Sequence, residues 1–427
     1  MRRMLCAGAA LAAATLALPA GAGELKAWVI DATAEKPYFE QLPQAFNARY
    51  AAEGITLEVQ PVPNFNDAIQ AASISGGLPD IILLDGPNMA AAAWAGTIQP
   101  IGGLIDPALL EDMLPGVLDQ GTYGPTGELY FLSPYDSTVL LWGNKRYLEA
   151  AGIRIPQGVE DAWTRTELRD AIEKLAKVEG VTWPIDLKLN YGAGEWMTYG
   201  FAPFLQSNGG DLIDRTTWTA QGTLNSAGNV DVLNELQDWY RNGWVVPASA
   251  GDNQFYGEKT AALSWVGTWM WPPHSEGLGE DMVMIPAPNF GSAGVKTPNG
   301  GWGWAVPATT TNLADVEVFL NFVMSDEQIA IFSDLVGVMP SRAAAVPLSE
   351  KFSQPGQHEL FTAQANCCAV VRPVHPAYPT ITLAFARAMQ NILSDGLADV
   401  QGELDAAARL IDQDIEDNQG YPPFGGQ

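Results

Sequence analysis

Tryptophan is the residue whose number and placement point most directly to chemistry. The chain has 14 Trp beside 15 Phe, and several Trp lie next to Gly or Pro. Those in such positions include Trp265, Trp269 and Trp271, which precede Pro272-Pro273, and Trp302 and Trp304, which flank Gly303. An indole covers the apolar face of a sugar ring, while polar side chains hydrogen-bond the hydroxyl rim. The cluster predicts a stacking platform for a carbohydrate, and core packing is the alternative for each Trp.

Motifs for catalysis or for cofactor binding are missing from the sequence. It has no zinc-protease pair, nucleophile elbow, phosphate-binding Gly-Lys-Ser/Thr loop or dinucleotide glycine fingerprint. The three histidines, His274, His358 and His375, are scattered. We therefore predict no metal site, no cofactor and no catalytic residue. A secreted carbohydrate-active hydrolase stays open as an alternative, and it would need two carboxyl groups about 5–10 Å apart.

The length and charge of the chain restrict its class. A chain of 427 residues suits two lobes better than one core. The formal charge of −27 disfavours nucleic-acid and anionic-lipid partners, because phosphate binding needs a basic surface. After the N-terminal leader, no stretch of 18 uninterrupted apolar residues occurs, so we expect that the mature protein does not span a membrane.

The first 22 residues have the pattern of a signal peptide. Arg2 and Arg3 precede an apolar stretch over residues 5–18, and Ala20-Gly21-Ala22 supplies small residues for cleavage after Ala22. We therefore predict export and a periplasmic mature protein. Cleavage leaves only Cys367 and Cys368, and in an oxidising compartment both a vicinal disulfide and two free thiols remain open.

Short apolar runs alternate with helical patterns along the chain. Residues 25–30, 55–59 and 79–85 are predicted strands, with helical faces between them, which favours a parallel α/β sheet. The first helix is predicted around Leu42–Tyr50, with Pro43 in its first turn, which makes Asp31–Gln41 a loop. Further helices are predicted after the caps Thr164-x-x-Glu167 and Ser325-x-x-Gln328, and at Val232–Tyr240, Leu383–Leu393 and Val400–Ile415.

Six segments in order give the chain a resemblance to a known family. They are Ser75–Ile81, Leu141–Gly152, Ala162–Thr164 with Glu167-Leu168, Phe204–Gly210, Phe255–Ala262 with Gly267–Trp269, and Gly337–Arg342. Together they resemble the periplasmic solute-binding proteins of ABC sugar importers, the maltose-binding-like group (extracellular solute-binding protein family 1). Gly143 departs from the pattern where that family often carries Tyr.

The resemblance implies an architecture and a function. It implies two doubly wound α/β lobes with interleaved connectivity and a hinge, the first comprising residues 23–135 and 306–340 and the second residues 136–305 and 341–427. A non-catalytic, monomeric receptor would close these lobes on a mono- or oligosaccharide and deliver it to the membrane permease of an ABC importer. A polyol, a sugar acid or a cation such as a polyamine remains an alternative ligand.

The resemblance also implies which residues line the cleft. The expected ligand-binding set is Trp269, Trp302, Asp85, Asn88, Tyr135, Asp136, Glu195, Trp196, Tyr199, Arg342, Lys36 and Tyr38. Trp269 matches the family's stacking aromatic residue. Arg342 would donate to vicinal hydroxyls or to a carboxylate, and a salt bridge across the hinge is its equally open alternative.

Overall fold

The computed structural model describes residues 23–63, 65–356 and 358–423. The predicted signal peptide and its cleavage after Ala22 lie outside these residues. Within the described ranges, no helix combines the length and the apolar character needed to cross a bilayer.

Strands and helices alternate through most of the chain. The strands are β1 Glu24–Ile30, β2 Thr56–Val62, β3 Ile81–Asp85, β4 Ile98–Gln99, β5 Thr122–Tyr123, β6 Glu128–Leu129, β7 Phe131–Leu132, β8 Tyr135–Asp136, β9 Val139–Asn144, β10 Trp183–Asp186, β11 Ala261–Gly267, β12 Met282–Ile285, β13 Thr297–Pro298, β14 Trp302–Pro307, β15 Met339–Pro340 and β16 Ala369–Val370. The helices are α1 Lys36–Tyr50, α2 Phe65–Ser75, α3 Met89–Trp94, α4 Pro107–Leu110, α5 Pro115–Gly121, α6 Lys145–Ala150, α7 Arg165–Leu175, α8 Glu195–Ser207, α9 Ala227–Arg241, α10 Trp271–Leu278, α11 Leu313–Val323, α12 Asp326–Val336, α13 His358–Cys368, α14 Tyr378–Ile392 and α15 Val400–Asp417.

The first lobe is built on a sheet with strand order β2-β1-β3-β14-β4, with β7 beside β14. β1 pairs in parallel with β2 and β3, whereas β14 runs antiparallel to β3. All five residues of β3 are buried, as expected for a central strand covered on both faces. The carboxyl ends of β1, β2 and β3 therefore meet at one edge of the sheet, where α/β proteins bind ligands.

The second lobe is built on a sheet with strand order β10-β11-β9-β12. β10 and β11 are parallel, and β9 runs antiparallel to β11 and β12. Each lobe has its own apolar core. The α/β class and the two lobes predicted from the sequence are therefore confirmed.

The predicted boundary between the second and the first lobe lies too late in the chain. The boundary at residue 306 falls inside β14, whereas this strand pairs with β3 from Trp302 onward. Residues 302–305 therefore lie in the sheet of the first lobe rather than in the second lobe. Between the two large sheets, β8 pairs with β15, so two passages of the chain between the lobes lie side by side.

The predicted loop at Asp31–Gln41 is wrong, because α1 begins at Lys36. Pro37 occupies the first helical turn, where its missing N–H is tolerated. The buried face of α1 starts with Tyr38 and Phe39 and continues through Leu42 and Phe46. Pro43, expected in the first turn, lies inside this longer helix.

Two features that the sequence left open or inferred locally are resolved in the structure. Cys367 and Cys368 form a vicinal disulfide at the end of α13. The capping box ahead of α7 is confirmed, with the Glu167 N–H donating to Thr164 Oγ1 at 3.2 Å and the Thr164 N–H donating to Glu167 Oε2 at 2.9 Å.

Removing this cap gives a first prediction. Thr164→Ala leaves one N–H at the start of α7 without its side-chain acceptor, so we expect the free energy of unfolding to fall by about 1 kcal/mol. Urea denaturation measures the change. Thr216→Ala, at an exposed turn position, is the control and should change stability by less than about 0.5 kcal/mol. Equal effects of the two substitutions would contradict the capping role.

Candidate ligand site between the lobes

Trp269 lies where the two lobes meet. It follows β11 in a short 3-10 turn and packs against the apolar cores of both lobes while remaining only partly buried. Its ring lies 6.1 Å from that of Trp196, at 90°, and 6.0 Å from that of Tyr199. These three rings form an aromatic wall between the lobes.

The wall is held in place by hydrogen bonds from α8. Trp196 Nε1 donates to the Leu187 carbonyl at 3.0 Å, and the Tyr199 hydroxyl donates to the Ser137 carbonyl at 2.8 Å. A fourth ring, Tyr191, lies 5.5 Å from Trp196 and is 37% exposed. Tyr191 is not predictable from the sequence, because it lies in a short 3-10 turn with no motif around it.

Arg372 is the central charged group between the two lobes, although no motif in the sequence points to it. Its Nη2 lies 3.2 Å from Asp85 Oδ1, and its Nη1 lies 2.7 Å from Glu195 Oε1. Asp85 ends β3 of the first lobe and Glu195 begins α8 of the second, so one guanidinium joins both lobes. The same guanidinium lies 4.7 Å above the Tyr199 ring centroid.

The burial of these charges determines their titration. Burial raises the pKa of Asp85 to about 6, with Arg372 opposing the rise and Glu195 adding to it. Glu195 also accepts hydrogen bonds from the hydroxyls of Tyr378 and Thr382. Because desolvation outweighs the attraction of Arg372, Asp85 is a carboxylate that still lacks full compensation.

In the loop after β1, Glu35 is buried, whereas the predicted Lys36 is exposed. The Lys36 side chain is exposed and pairs with Glu40 at 3.8 Å on the same helix. Burial raises the pKa of Glu35 to about 7. Burial also raises the pKa of Tyr135, and the charges of Glu35 and Asp85 add to this rise, so the two carboxylates lie within electrostatic range of one phenol.

Asp136 and Gly300 shape the backbone beside Arg372. Asp136 Oδ1 accepts hydrogen bonds from the N–H groups of Gly300 at 2.6 Å and Ser137 at 2.8 Å. Burial raises the pKa of Asp136, while these hydrogen bonds oppose the rise. Gly300 has φ of 126°, and a Cβ there would lie 2.8 Å from Arg372 Nη2. Asp136 thus fixes the backbone at Ser137 and Gly300. The absence of a side chain at Gly300 allows the Arg372 guanidinium to lie against this backbone.

Two buried nitrogen donors lie near Gly300. Gln120 Nε2 and Arg372 Nε lack a hydrogen-bond partner among the residues that the structure describes. Gln120 is 1% exposed and Arg372 5% exposed. Because an unmade hydrogen bond of a buried donor is costly, each of these two donors calls for an acceptor that the described residues do not supply.

Three predicted residues lie elsewhere. Arg342 pairs with Asp112 at 2.8 Å and with Asp326, at the start of α12. Of the two roles left open for Arg342, the structure shows the salt bridge rather than a contact at the candidate ligand site. Tyr38 lies in the core of the first lobe with its hydroxyl on Gln328 at 3.3 Å, and Lys36 is exposed as described above.

The remaining predicted residues lie at the edges of the interlobe region. The Tyr135 hydroxyl accepts from the Trp302 N–H at 3.0 Å, and the partly buried Trp302 ring lies 5.8 Å from Phe65. Asn88 is half-buried at the position that precedes α3. The structure thus brings Trp269, Trp196, Tyr199, Asp85 and Glu195 together, with Tyr135, Asp136, Trp302 and Asn88 around them.

Comparison with known proteins places this architecture in a family. Residues 32–330 match the family of bacterial extracellular solute-binding proteins, so the chain belongs to that family. A maltooligosaccharide ABC transporter solute-binding lipoprotein of Streptococcus pneumoniae is 22% identical over 409 residues, covering 90% of this chain and 88% of the relative.

Solved structures show the same fold. The GacH receptor of Streptomyces glaucescens, determined unliganded and with acarbose, is 23% identical with a TM-score of 0.76, covering 92% of this chain and 97% of its own. Maltose-bound T. maritima MalE3 is 18% identical with a TM-score of 0.78, covering 91% and 99% of the two chains. At these identities the likeness shows the fold.

The titration of Asp85 gives the second prediction. A pKa raised to about 6, against about 4 in an unfolded chain, means that the native state binds this proton more tightly. We therefore expect the stability of the wild type, relative to Asp85→Asn, to fall as pH rises from about 4 to about 6. Thermal unfolding across that range measures the difference.

Arg372 provides a check on the cause. Because Arg372 opposes the rise, Arg372→Met should move the Asp85 pKa further upward in carboxyl-carbon NMR titrations. The pKa of Asp405, which Asn225 and Gln401 hold below its usual value, should not change. An Asp85 that titrates near 4 in the wild type would contradict the burial of this site.

Proposed function

We propose that the protein is a non-catalytic, exported receptor that encloses a mono- or oligosaccharide between its lobes and delivers it to an ABC import permease. The observation that carries this proposal is the position of Trp269, which contacts the cores of both lobes beside buried polar groups. A ligand stacked on this indole touches both lobes, so it favours the closed arrangement by its differential affinity.

The chemistry of the site matches a polyhydroxylated ring. Trp269 and Tyr199 offer apolar faces to the C–H side of a sugar. Hydroxyl groups can donate to the carboxylates of Asp85 and Glu35 and accept from Gln120 and Arg372. A linear polyol supplies the hydroxyls but no ring face for the indole, so a cyclic sugar uses the site more completely.

The charged alternatives have weaker support. Arg342, the group expected to select a sugar acid, is held by Asp112 and Asp326. Arg372 is already engaged by two carboxylates, which leaves little charge for a third. The unpartnered donors, in turn, do not suit a polyamine, which brings no acceptor to Gln120. A neutral ligand with both donors and acceptors fits both sets of groups.

The relatives support the same ligand class. The S. pneumoniae relative is described as a maltooligosaccharide-binding lipoprotein, and solved structures with this fold hold acarbose, maltose, mannobiose or tagatose. For this protein we further propose delivery of the sugar to a permease, a periplasmic location after cleavage behind Ala22, and a monomeric state. We also propose the division into lobes at residues 23–135 and 302–340 for the first, and 136–301 and 341–427 for the second.

A stacking role for Trp269 gives the third prediction. Trp269→Ala removes the apolar platform, so we expect sugar affinity to fall by about 1–3 kcal/mol, or roughly 5- to 150-fold in Kd. Calorimetric titration with maltose, maltotriose, mannobiose, tagatose and acarbose identifies the ligand and measures the change. Trp244→Ala, a partly buried tryptophan of the same lobe, is the control and should leave affinity unchanged. Unchanged binding by a folded Trp269→Ala protein would refute the platform.

The same panel separates a receptor from a hydrolase. Prolonged incubation of the oligosaccharides with pure protein should return them unchanged, without new reducing ends. Release of reducing ends that Asp85→Asn abolishes would support the hydrolase alternative instead, since that chemistry requires a carboxyl pair.

A further inference from the structure

The C-terminal residues reach from the second lobe to the first. Beyond α15, the Tyr421 ring lies 4.8 Å from the Trp94 ring in an edge-to-face arrangement at 75°. Trp94 Nε1 donates to the Pro422 carbonyl at 3.0 Å. Trp94 is the last residue of α3 in the first lobe and is 39% exposed, whereas Tyr421 is 6% exposed.

Residues 419–423, the C-terminal strap, are anchored in the second lobe. The Tyr421 hydroxyl donates to Asp414 Oδ2 at 2.6 Å and accepts from Asn418 Nδ2 at 3.1 Å, both on or next to α15. Its ring lies 5.5 Å from His375 and belongs to the apolar core of the second lobe. The strap therefore moves with the second lobe, and Trp94 moves with the first.

This contact lies apart from the candidate ligand site. α3 begins at Met89, four positions after Asp85, and its six residues extend about 9 Å to Trp94. A rotation that opens the lobes about the paired strands β8 and β15 would draw Trp94 away from the strap. The contact therefore exists only when the lobes are together.

We propose that the C-terminal strap is a clasp that holds the lobes closed through Trp94 without touching the ligand. It relies on the hinge of the proposed function but not on the ligand being a sugar. An edge-to-face aromatic pair and one hydrogen bond are enough to shift an equilibrium between open and closed forms by about five- to fifty-fold. The clasp thus biases closure before any ligand contact is made.

Small-angle scattering of the ligand-free protein tests the clasp. The wild-type curve should contain a substantial closed fraction that fits this structure, and Trp94→Ala should increase the radius of gyration. Trp94→Phe keeps an aromatic ring but loses the donor, so it should lie between the two. Trp28→Ala is the control, because the Trp28 indole donates to Gln60 within the first lobe, and it should scatter like the wild type.

A second variant guards against a local effect of Trp94. A chain ending at Gln419 lacks Tyr421 and Pro422, and it should open as Trp94→Ala does. Combining the two changes should add nothing, because they remove the same contact. Unchanged scattering in both variants, with melting temperatures near that of the wild type, would overturn the clasp, as would a fully open wild type. Since no sugar is present, a failed sugar panel leaves this result standing, and a failed clasp leaves sugar binding intact.

Discussion

The buried guanidinium of Arg372 is the interaction on which the interlobe region depends. A buried cation is costly unless carboxylates compensate it, and here one carboxylate comes from each lobe. Asp85 of the first lobe and Glu195 of the second lobe each form an ion pair with this guanidinium. If the lobes separate, Asp85 leaves and water must replace it. The polar layer of the cleft is therefore complete only in the closed arrangement.

The surrounding structure serves this arrangement. Glu195 accepts from Tyr378 and Thr382 of α14, which holds it against the guanidinium. Asp136 fixes the backbone at Gly300, where a side chain would collide with Arg372. Burial nevertheless keeps the pKa of Asp85 high. The Asp85 carboxylate therefore keeps an unsatisfied demand for hydrogen-bond donors at the point where the two lobes meet.

The sequence predicted best what local patterns determine. The buried strand β3 and the cap at Thr164 follow from apolar runs and from residues three apart, and both are present. The predicted start of α1 is too late in the chain. Pro43 suits a first helical turn if Pro37 belongs to a loop, but in the structure Pro37 itself occupies the first turn. Arg342 was chosen over Arg372 because it ends the family-like segment Gly337–Arg342, whereas no motif surrounds Arg372. Their carboxylate partners come from distant parts of the chain, and only the fold brings them together.

The burial of the tryptophans likewise depends on the fold and could not be predicted from their sequence neighbours. Five of them, Trp142, Trp163, Trp239, Trp265 and Trp304, are fully buried, although Trp265 and Trp304 share the Gly- and Pro-rich surroundings of the partly buried Trp269, Trp271 and Trp302. Composition cannot separate these groups. Trp302 and Trp304 are two positions apart in β14 and therefore face the same side of the sheet, yet only Trp302, at the first position of the strand, stays partly exposed. The position of each indole along the strand decides its burial, and only the fold gives that position. The Trp302 N–H is bonded to Tyr135 of β8, the strand that pairs with β15 between the lobes. A displacement of Trp302 is therefore passed through Tyr135 to the paired strands β8 and β15, which couples the end of β3 and β14 to the passages of the chain between the lobes.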